Sequence, residues 1–289
     1  MEQIRRAWLP VRQACILHLK FRHPSMVRPK ILFVTGTDTG VGKTLLTALL
    51  VAHARSQGRV VRAIKPFCSG GRADAELLRE VQQGVLTIDE INPFFFPDPL
   101  APWVAACRSK RPAPSLTHVL HHIDRVASRM PARSQLLIEG VGGLMVPLGP
   151  DYTVRDLIAA LGCEVLLVSA NRLGTINHTL LSIHALQCER IAAPLRSRKV
   201  THGEVGSSAS SGLQAAAGAV PSASRLSRLV LMNAQKPDSS ARSNPPFLAQ
   251  ILGLLPVVSV PFLGTKACTI SAIERNQKKI QKTLARISD

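Results

Sequence analysis

Residues 36–44, GTDTGVGKT, constrain the fold of this chain more than any other stretch. They follow a short β-branched and aromatic run (31–35) and precede a segment, 43–57, with helix-like apolar spacing that stops at Gly58. A strand, a glycine-rich turn and a helix in succession make a phosphate cradle. Gly40 and Gly42 let backbone N–H groups converge on phosphate oxygens, and the helix that follows points its positive end at them. In that geometry Lys43 reaches the β- and γ-phosphates of a nucleotide, and the Thr44 hydroxyl ligates Mg²⁺. The spacing from Gly36 to Gly42 is one residue longer than in a strict GxxxxGK[ST] loop, but the flanking strand and helix supply the same context.

The rest of the chain repeats the alternation. Strands are expected at 60–66, 135–140, 163–170 and 228–233, and helices at 73–82, 115–128 and 176–187, with a Pro/Phe-rich loop over 92–102. Strands apolar on both faces and separated by helices predict an α/β fold. The expected architecture is a parallel sheet with helices on both faces, P-loop NTPase-like. Residues 270–287 read as one basic amphipathic surface helix, packed through Ile273, Ile280, Leu284 and Ile287.

Charge divides the chain. It has 36 Lys and Arg against 18 Asp and Glu among 289 residues, a formal charge of +18. Such an excess suggests nucleic acid or an anionic membrane. Fifteen of the eighteen excess charges, however, fall in residues 1–30, 190–228 and 266–289, while 31–189 is almost neutral. Residues 1–28 read as an N-terminal extension, outside the folded part or upstream of a working start at Met26. Residues 29–289 read as one domain with a flexible insertion at about 190–228, because 203–224 is rich in Ser, Ala and Gly and has almost no large apolar residue. The 46% hydrophobic content excludes a wholly disordered chain. No apolar run approaches the roughly 18 residues of a membrane span. Six cysteines without a CxxC pair fit reduced thiols and a cytoplasmic location.

Phosphoryl transfer also needs carboxylates for the metal. Glu139 ends an apolar strand before Gly140, Gly142 and Gly143, and so lies at the carboxyl edge of the sheet, where open α/β sheets bind ligands. Asp74 starts the helix after KPFCSGGRA, and Lys65 ends the second strand at the same edge. Helix-dipole compensation and a solvated lysine are the plainer roles for these two. His118 and His122 share a helix face, but there is no HExxH motif and no third ligand at a suitable spacing, so a packed or solvated face is expected there.

Taken in order, GTDTGVGKT, KPFCSGGRADAELL, INPFFFPDPLAP, LLIEGVGGLMVPL, LLVSANRLGTINHTLLS and LVLMN resemble the dethiobiotin synthase family, over roughly 31–188 and 228–262. The resemblance implies a homodimeric, ATP- and Mg²⁺-dependent ligase that closes a ureido ring on 7,8-diaminononanoate with CO₂, through a carbamic–phosphoric anhydride. It implies nucleotide contacts along Gly36, Thr37, Asp38, Thr39, Gly40, Val41, Gly42, Lys43 and Thr44, with Asn233 reading the adenine and Pro256 nearby. Thr44, Asp74 and Glu139 would gather Mg²⁺. Lys65 would stabilise the carbamate and the transferring phosphoryl, with Lys43 and Thr39 on phosphates. Ser69 and Gly142 would meet the diamine, and Gly174, Thr175, Ile176, Asn177 and His178 would hold its distal carboxylate at a helix start. Neither nucleic acid nor a membrane is implied as a partner. The chain departs from the family pattern with EGVGG for EGAGG, Gly40 for a frequent Glu and Arg172 for a frequent Lys. It also carries the 190–228 insertion and no clear match to the C-terminal purine-contact segment.

Two other readings use the same loop. A P-loop amidoligase of the cobyrinate amidation type would need a glutaminase-like domain with a Cys nucleophile and a His, and none follows. A partitioning-type ATPase that binds DNA carries a lysine five positions before the loop lysine, where this chain has Asp38.

Overall fold

The computed structural model describes residues 28–187 and 224–288. The expectations for residues 1–27 and for most of the 190–228 insertion therefore lie outside the described residues. The described residues form eight strands: β1 (Lys30–Gly36), β2 (Val61–Ile64), β3 (Phe67–Ser69), β4 (Phe94–Phe96), β5 (Gln135–Gly143), β6 (Glu164–Asn171), β7 (Arg225–Asn233) and β8 (Val257–Val260). Six of them form one parallel sheet in the order β2-β5-β1-β6-β7-β8, and β3 and β4 pair as a separate parallel ribbon.

Side-chain alternation along the central strands sorts the helices into two layers. Leu32 and Val34 of β1 face one side together with Leu137 and Leu166. That side is covered by α1 (Lys43–Ser56), α2 (Ala73–Val81), and two helices near the carboxyl end, α9 (Ile270–Lys279) and α10 (Gln281–Ser288). Phe33, Leu136 and Ile138 face the other side. Here the cover is α4 (Pro102–Arg108), α5 (Leu116–Ala127) and α6 (Val154–Leu161), with α7 (Thr175–Gln187) and α8 (Asn244–Leu252) over β6 and β7. The short α3 (Ile88–Ile91) starts from a capping box between Thr87 and Glu90. The fold is α/β, a parallel sheet with helices on both faces, as the alternation predicts.

Three expectations change. The 92–102 segment is not a plain loop: Phe94–Phe96 pairs with Phe67–Ser69, and Pro102 then opens α4. The single helix at 270–287 is broken at Ile280, which leaves helical geometry at φ −111° and ψ 25°. The break keeps Ile273, Ile280, Leu284 and Ile287 in the same core, so the anticipated packing face holds while the helix axis bends. Finally, β8 and α8 add an edge strand and its cover beyond β7.

Candidate active site

The carboxyl ends of β1, β2, β5, β6 and β7 gather most of the predicted residues. After β1 the chain bonds Thr37 N to Val168 O on β6 (2.9 Å), then turns through Gly40 (φ +73°) and Gly42 (φ +99°) into α1. Both angles are left-handed, where only glycine is unstrained. Val41 is buried and anchors the loop, while Asp38, Thr39 and Gly40 are exposed. A Cβ on Gly42 would lie 3.1 Å from the Met232 side chain, so the end of β7 packs directly against the loop.

Lys43 opens α1 and folds back beneath the loop. Its Nζ donates to Asp38 O (2.7 Å) and to Gly142 O (2.8 Å), and it is 6% exposed. Burial pulls its pKa down to about 8, against the attraction of Glu139. Lys65, immediately after β2, donates to Glu139 Oε1 (2.7 Å) and to Asp74 Oδ2, and it lies 3.4 Å from Thr44 Oγ1. Burial by itself would depress this ammonium, but Glu139 and Asp74 together outweigh that and raise it above the usual lysine range.

Thr44 Oγ1 donates to Glu139 Oε1 (2.6 Å), which closes a cluster of Thr44, Lys65, Asp74 and Glu139. Glu139 is 1% exposed, and its second oxygen, Oε2, has no hydrogen-bond partner among the described residues. A buried carboxylate oxygen left unpaired costs free energy. A hydroxyl and two carboxylates around such an oxygen are the hard donor set that Mg²⁺ takes. The residues present therefore fit that ion.

Ser69 ends β3 half-buried, and Gly142 (φ +58°) sits where its Cα hydrogens face Val146 and Thr39. Between the loop and α7 runs a groove of about 400 Å³, with Thr37, Asp38, Gly143 and Pro147 on one side and Leu181 and Ala185 on the other. Its apolar wall, Leu144 to Val146 and Leu181, is missed by motif reasoning. The signal available was the apolar LMV after the glycines and the i, i+4 pair Leu181 and Ala185 on one helix face.

At the start of α7, Gly174 adopts φ +91° and His178 is exposed. Thr175 is turned inward: its hydroxyl donates to Ala170 O and accepts from Arg172 N (3.2 Å). Its amide donates to Arg172 O and that of His178 to Gly174 O, and Ile176 and Asn177 supply the other two amides of the first turn. The Thr175 hydroxyl is thus spent on the strand end and the turn that follows it.

Asn233 ends β7 beside Asn171, at the same sheet edge. Pro256 is not there. It precedes β8, and its carbonyl accepts from Leu229 N (3.0 Å), four residues before the end of β7. Parallel strands share direction, so Pro256 belongs to the opposite, amino edge. The residues that leave β8 on the nucleotide side are Pro261, Phe262 and Leu263. Pro256 differs from the expectation because β8 begins just after it and runs parallel to β7.

Comparison with known proteins places the chain in a family. A family model described as an AAA domain matches residues 30–197. ATP-dependent dethiobiotin synthetase BioD of Anaeromyxobacter dehalogenans is 46% identical over 160 residues, 54% of this chain and 70% of that protein. The proteins of the same description from Bacillus licheniformis and Bacillus subtilis are 42% and 40% identical, over 53% and 52% of this chain and 66% of each relative. The chain thus spans about two thirds of the length of these curated relatives. Among solved structures, a ParA family ATPase from Chlorobium tepidum aligns at 11% identity and a TM-score of 0.46, over 90% of this chain and 96% of that one. Matched over more than half its length by the family model, and over 70% of a relative at 46% identity, the chain belongs to the dethiobiotin synthetase family within the AAA-domain P-loop proteins.

Proposed function

We propose that this protein closes the ureido ring of dethiobiotin from 7,8-diaminononanoate, CO₂ and ATP. The observation that carries the reading is the buried Lys65 held between Glu139 and Asp74, beside the loop lysine and a carboxylate oxygen without a partner.

In the proposed sequence a neutral amine of the diamine attacks CO₂, forming a C–N bond, and loses a proton to give a carbamate. A carbamate oxygen then attacks the γ-phosphorus as the bond to the β–γ bridging oxygen breaks and ADP leaves. The second amine attacks the carbamoyl carbon, expels phosphate and closes the ring with loss of a second proton. No nucleophilic side chain is required; the protein contributes placement and charge. Lys43 and Thr39 hold phosphate oxygens, and the N–H groups of residues 37–44 cradle the triphosphate. Lys65 steadies the carbamate and the phosphoryl group that it meets. Mg²⁺, held by Thr44, Asp74 and Glu139, would neutralise charge on the β- and γ-oxygens.

Ser69 and Gly142 border the reacting amines, and the apolar groove carries the methylene tether towards the amides of Ile176 and Asn177 and the His178 side chain, where the distal carboxylate is bound. Asn233 reads the adenine. Exposed Leu181 and Met145 line that groove, which supports a homodimer that covers them. Among the described residues no helix is long and apolar enough to cross a membrane. The proposed location is the cytoplasm, on the six cysteines without a CxxC pair. Asp38, in place of a lysine, argues against DNA partitioning.

The test is Mg²⁺-ATP turnover with mass detection of dethiobiotin. Product should require both diamine and bicarbonate, and Lys43→Ala should abolish it. Turnover without diamine, or turnover stimulated by DNA, would overturn the assignment.

A further inference from the structure

Asn171 and Asn233 end neighbouring strands as register partners, and a third amide, Asn244, approaches from the start of α8. Asn171 is 2% exposed. Its Nδ2 donates to Asn233 Oδ1 (2.7 Å) and to Ala241 O (2.9 Å), and its Oδ1 accepts from Asn244 Nδ2 (3.0 Å). Asn244 Nδ2 also lies 3.2 Å from Arg172 O and 3.3 Å from Ser240 Oγ.

These contacts fix which way each amide faces. A backbone carbonyl only accepts, so the atoms that meet Arg172 O and Ala241 O are nitrogens. Asn244 therefore offers an N–H to the oxygen of Asn171. Asn171 offers an N–H to Asn233, whose facing atom is its oxygen. The Asn233 Nδ2 is turned away from the network and has no hydrogen-bond partner among the described residues. Polarity set by two main-chain carbonyls is thus passed through two buried amides to a half-exposed third.

We infer that Asn171 is a positioning residue that locks the Asn233 amide and so sets the preference for a 6-amino over a 6-oxo purine. This rests on the proposal that Asn233 reads the base. An asparagine amide meets adenine through its oxygen to the N6 amino group and its nitrogen to N7. A 6-oxo purine presents acceptors at both positions, so a locked amide meets one of them with its own oxygen. Without Asn171 the amide has no fixed direction, and adenine loses its preset donor–acceptor pair. No adjacent sequence signal announces this arrangement, because Asn171 and Asn244 are 73 residues apart.

Asn171→Leu, Asn171→Asp and Asn233→Ala are to be compared with the parent by isothermal titration calorimetry, in Mg²⁺, against ATP, GTP and inorganic tripolyphosphate. Asn171→Leu should lower ATP affinity about fivefold or more and narrow the ATP-over-GTP ratio by a similar factor, the low end of what one bidentate base contact discriminates. Tripolyphosphate, which has no base, should bind as it does to the parent. Asn171→Asp keeps the size and the acceptor for Asn244 but has no donor for Asn233. It should show the same loss, and it replaces the leucine variant if that variant does not fold. If Asn233→Ala narrows the ratio and both Asn171 variants leave it intact, the inference fails while the Asn233 reading stands. If Asn233→Ala itself leaves the ratio intact, Asn233 does not read the base and both fail. An equal loss for ATP and tripolyphosphate would make Asn171 a general structural residue and overturn the inference.

Discussion

Replacing Lys65 by Met should destabilise the fold before any question of catalysis arises. The magnitude follows from which partner is buried. The Asp74 side chain is 51% exposed, so its ion pair with Lys65 is screened and contributes about 0–1 kcal/mol. The Glu139 side chain has no exposed surface, and its Oε2 already lacks a partner. Removing the cation from such a carboxylate costs about 3–5 kcal/mol. For a domain of this size that corresponds to a fall in Tm of about 6–20 °C, at about 2–4 °C per kcal/mol.

The pH dependence carries a sign. Lys65 has a raised pKa, so its stabilisation is complete below the ordinary lysine value and is lost only as pH rises through the higher, folded value. The parent should therefore show no loss from this group between pH 5 and 8. Melting followed by circular dichroism at pH 7.5 measures the loss, and Lys65→Met/Glu139→Gln, which removes the uncompensated carboxylate, should recover at least half of it. A drop below about 2 °C at pH 7.5, or a double variant no more stable than the single one, would refute the reasoning.

Lys43 gives an affinity prediction. With its pKa near 8 in the free protein, and the charged form required by a triphosphate, apparent ATP affinity should fall about tenfold between pH 7 and pH 9. A flat calorimetric profile over that range would contradict it. Gly142→Ala forces a side chain into φ +58° with its Cβ 2.6 Å from Val146 Cγ2, so urea titration should show about 2 kcal/mol lost. Tyr152→Phe removes a buried 2.8 Å hydrogen bond to Pro114 O and should cost about 1–2 kcal/mol by the same titration.

What the sequence made legible was local chemistry. The strand, glycine turn and helix over residues 31–57 were readable because left-handed glycines, a lysine and a helix start leave a pattern within a dozen residues. Glu139 and Lys65 could be placed at the carboxyl edge because each ends an apolar strand. What escaped needs partners distant in sequence. Phe94–Phe96, framed by prolines, resembles a loop until Phe67–Ser69 pairs with it. Val257–Val260 is an edge strand of only four residues, too short for its Val-Ser-Val alternation to stand out, and its direction puts Pro256 at the amino end of the sheet. The capping box of Thr153 and Asp156 starts α6 in a stretch whose apolar spacing drew no attention. The inward turn of the Thr175 hydroxyl and the amide chain through Asn171 depend on where β6 and β7 end, which no window of sequence contains.

The bent pair α9 and α10 has a consequence for how the protein is made. Ile273, Leu284 and Ile287 share one core with Leu46 and Leu49 of the helix that carries Lys43, and Gln277 reaches buried His53 on that same helix (3.2 Å). More than two hundred residues separate the two halves of this layer. Until residues 270–288 leave the ribosome, the part of α1 that α9 and α10 cover stays open, although α2 already packs beside it. The loop that announces itself first in the sequence is therefore among the last parts to be secured, and a stalled nascent chain would expose that surface to aggregation and to chaperones.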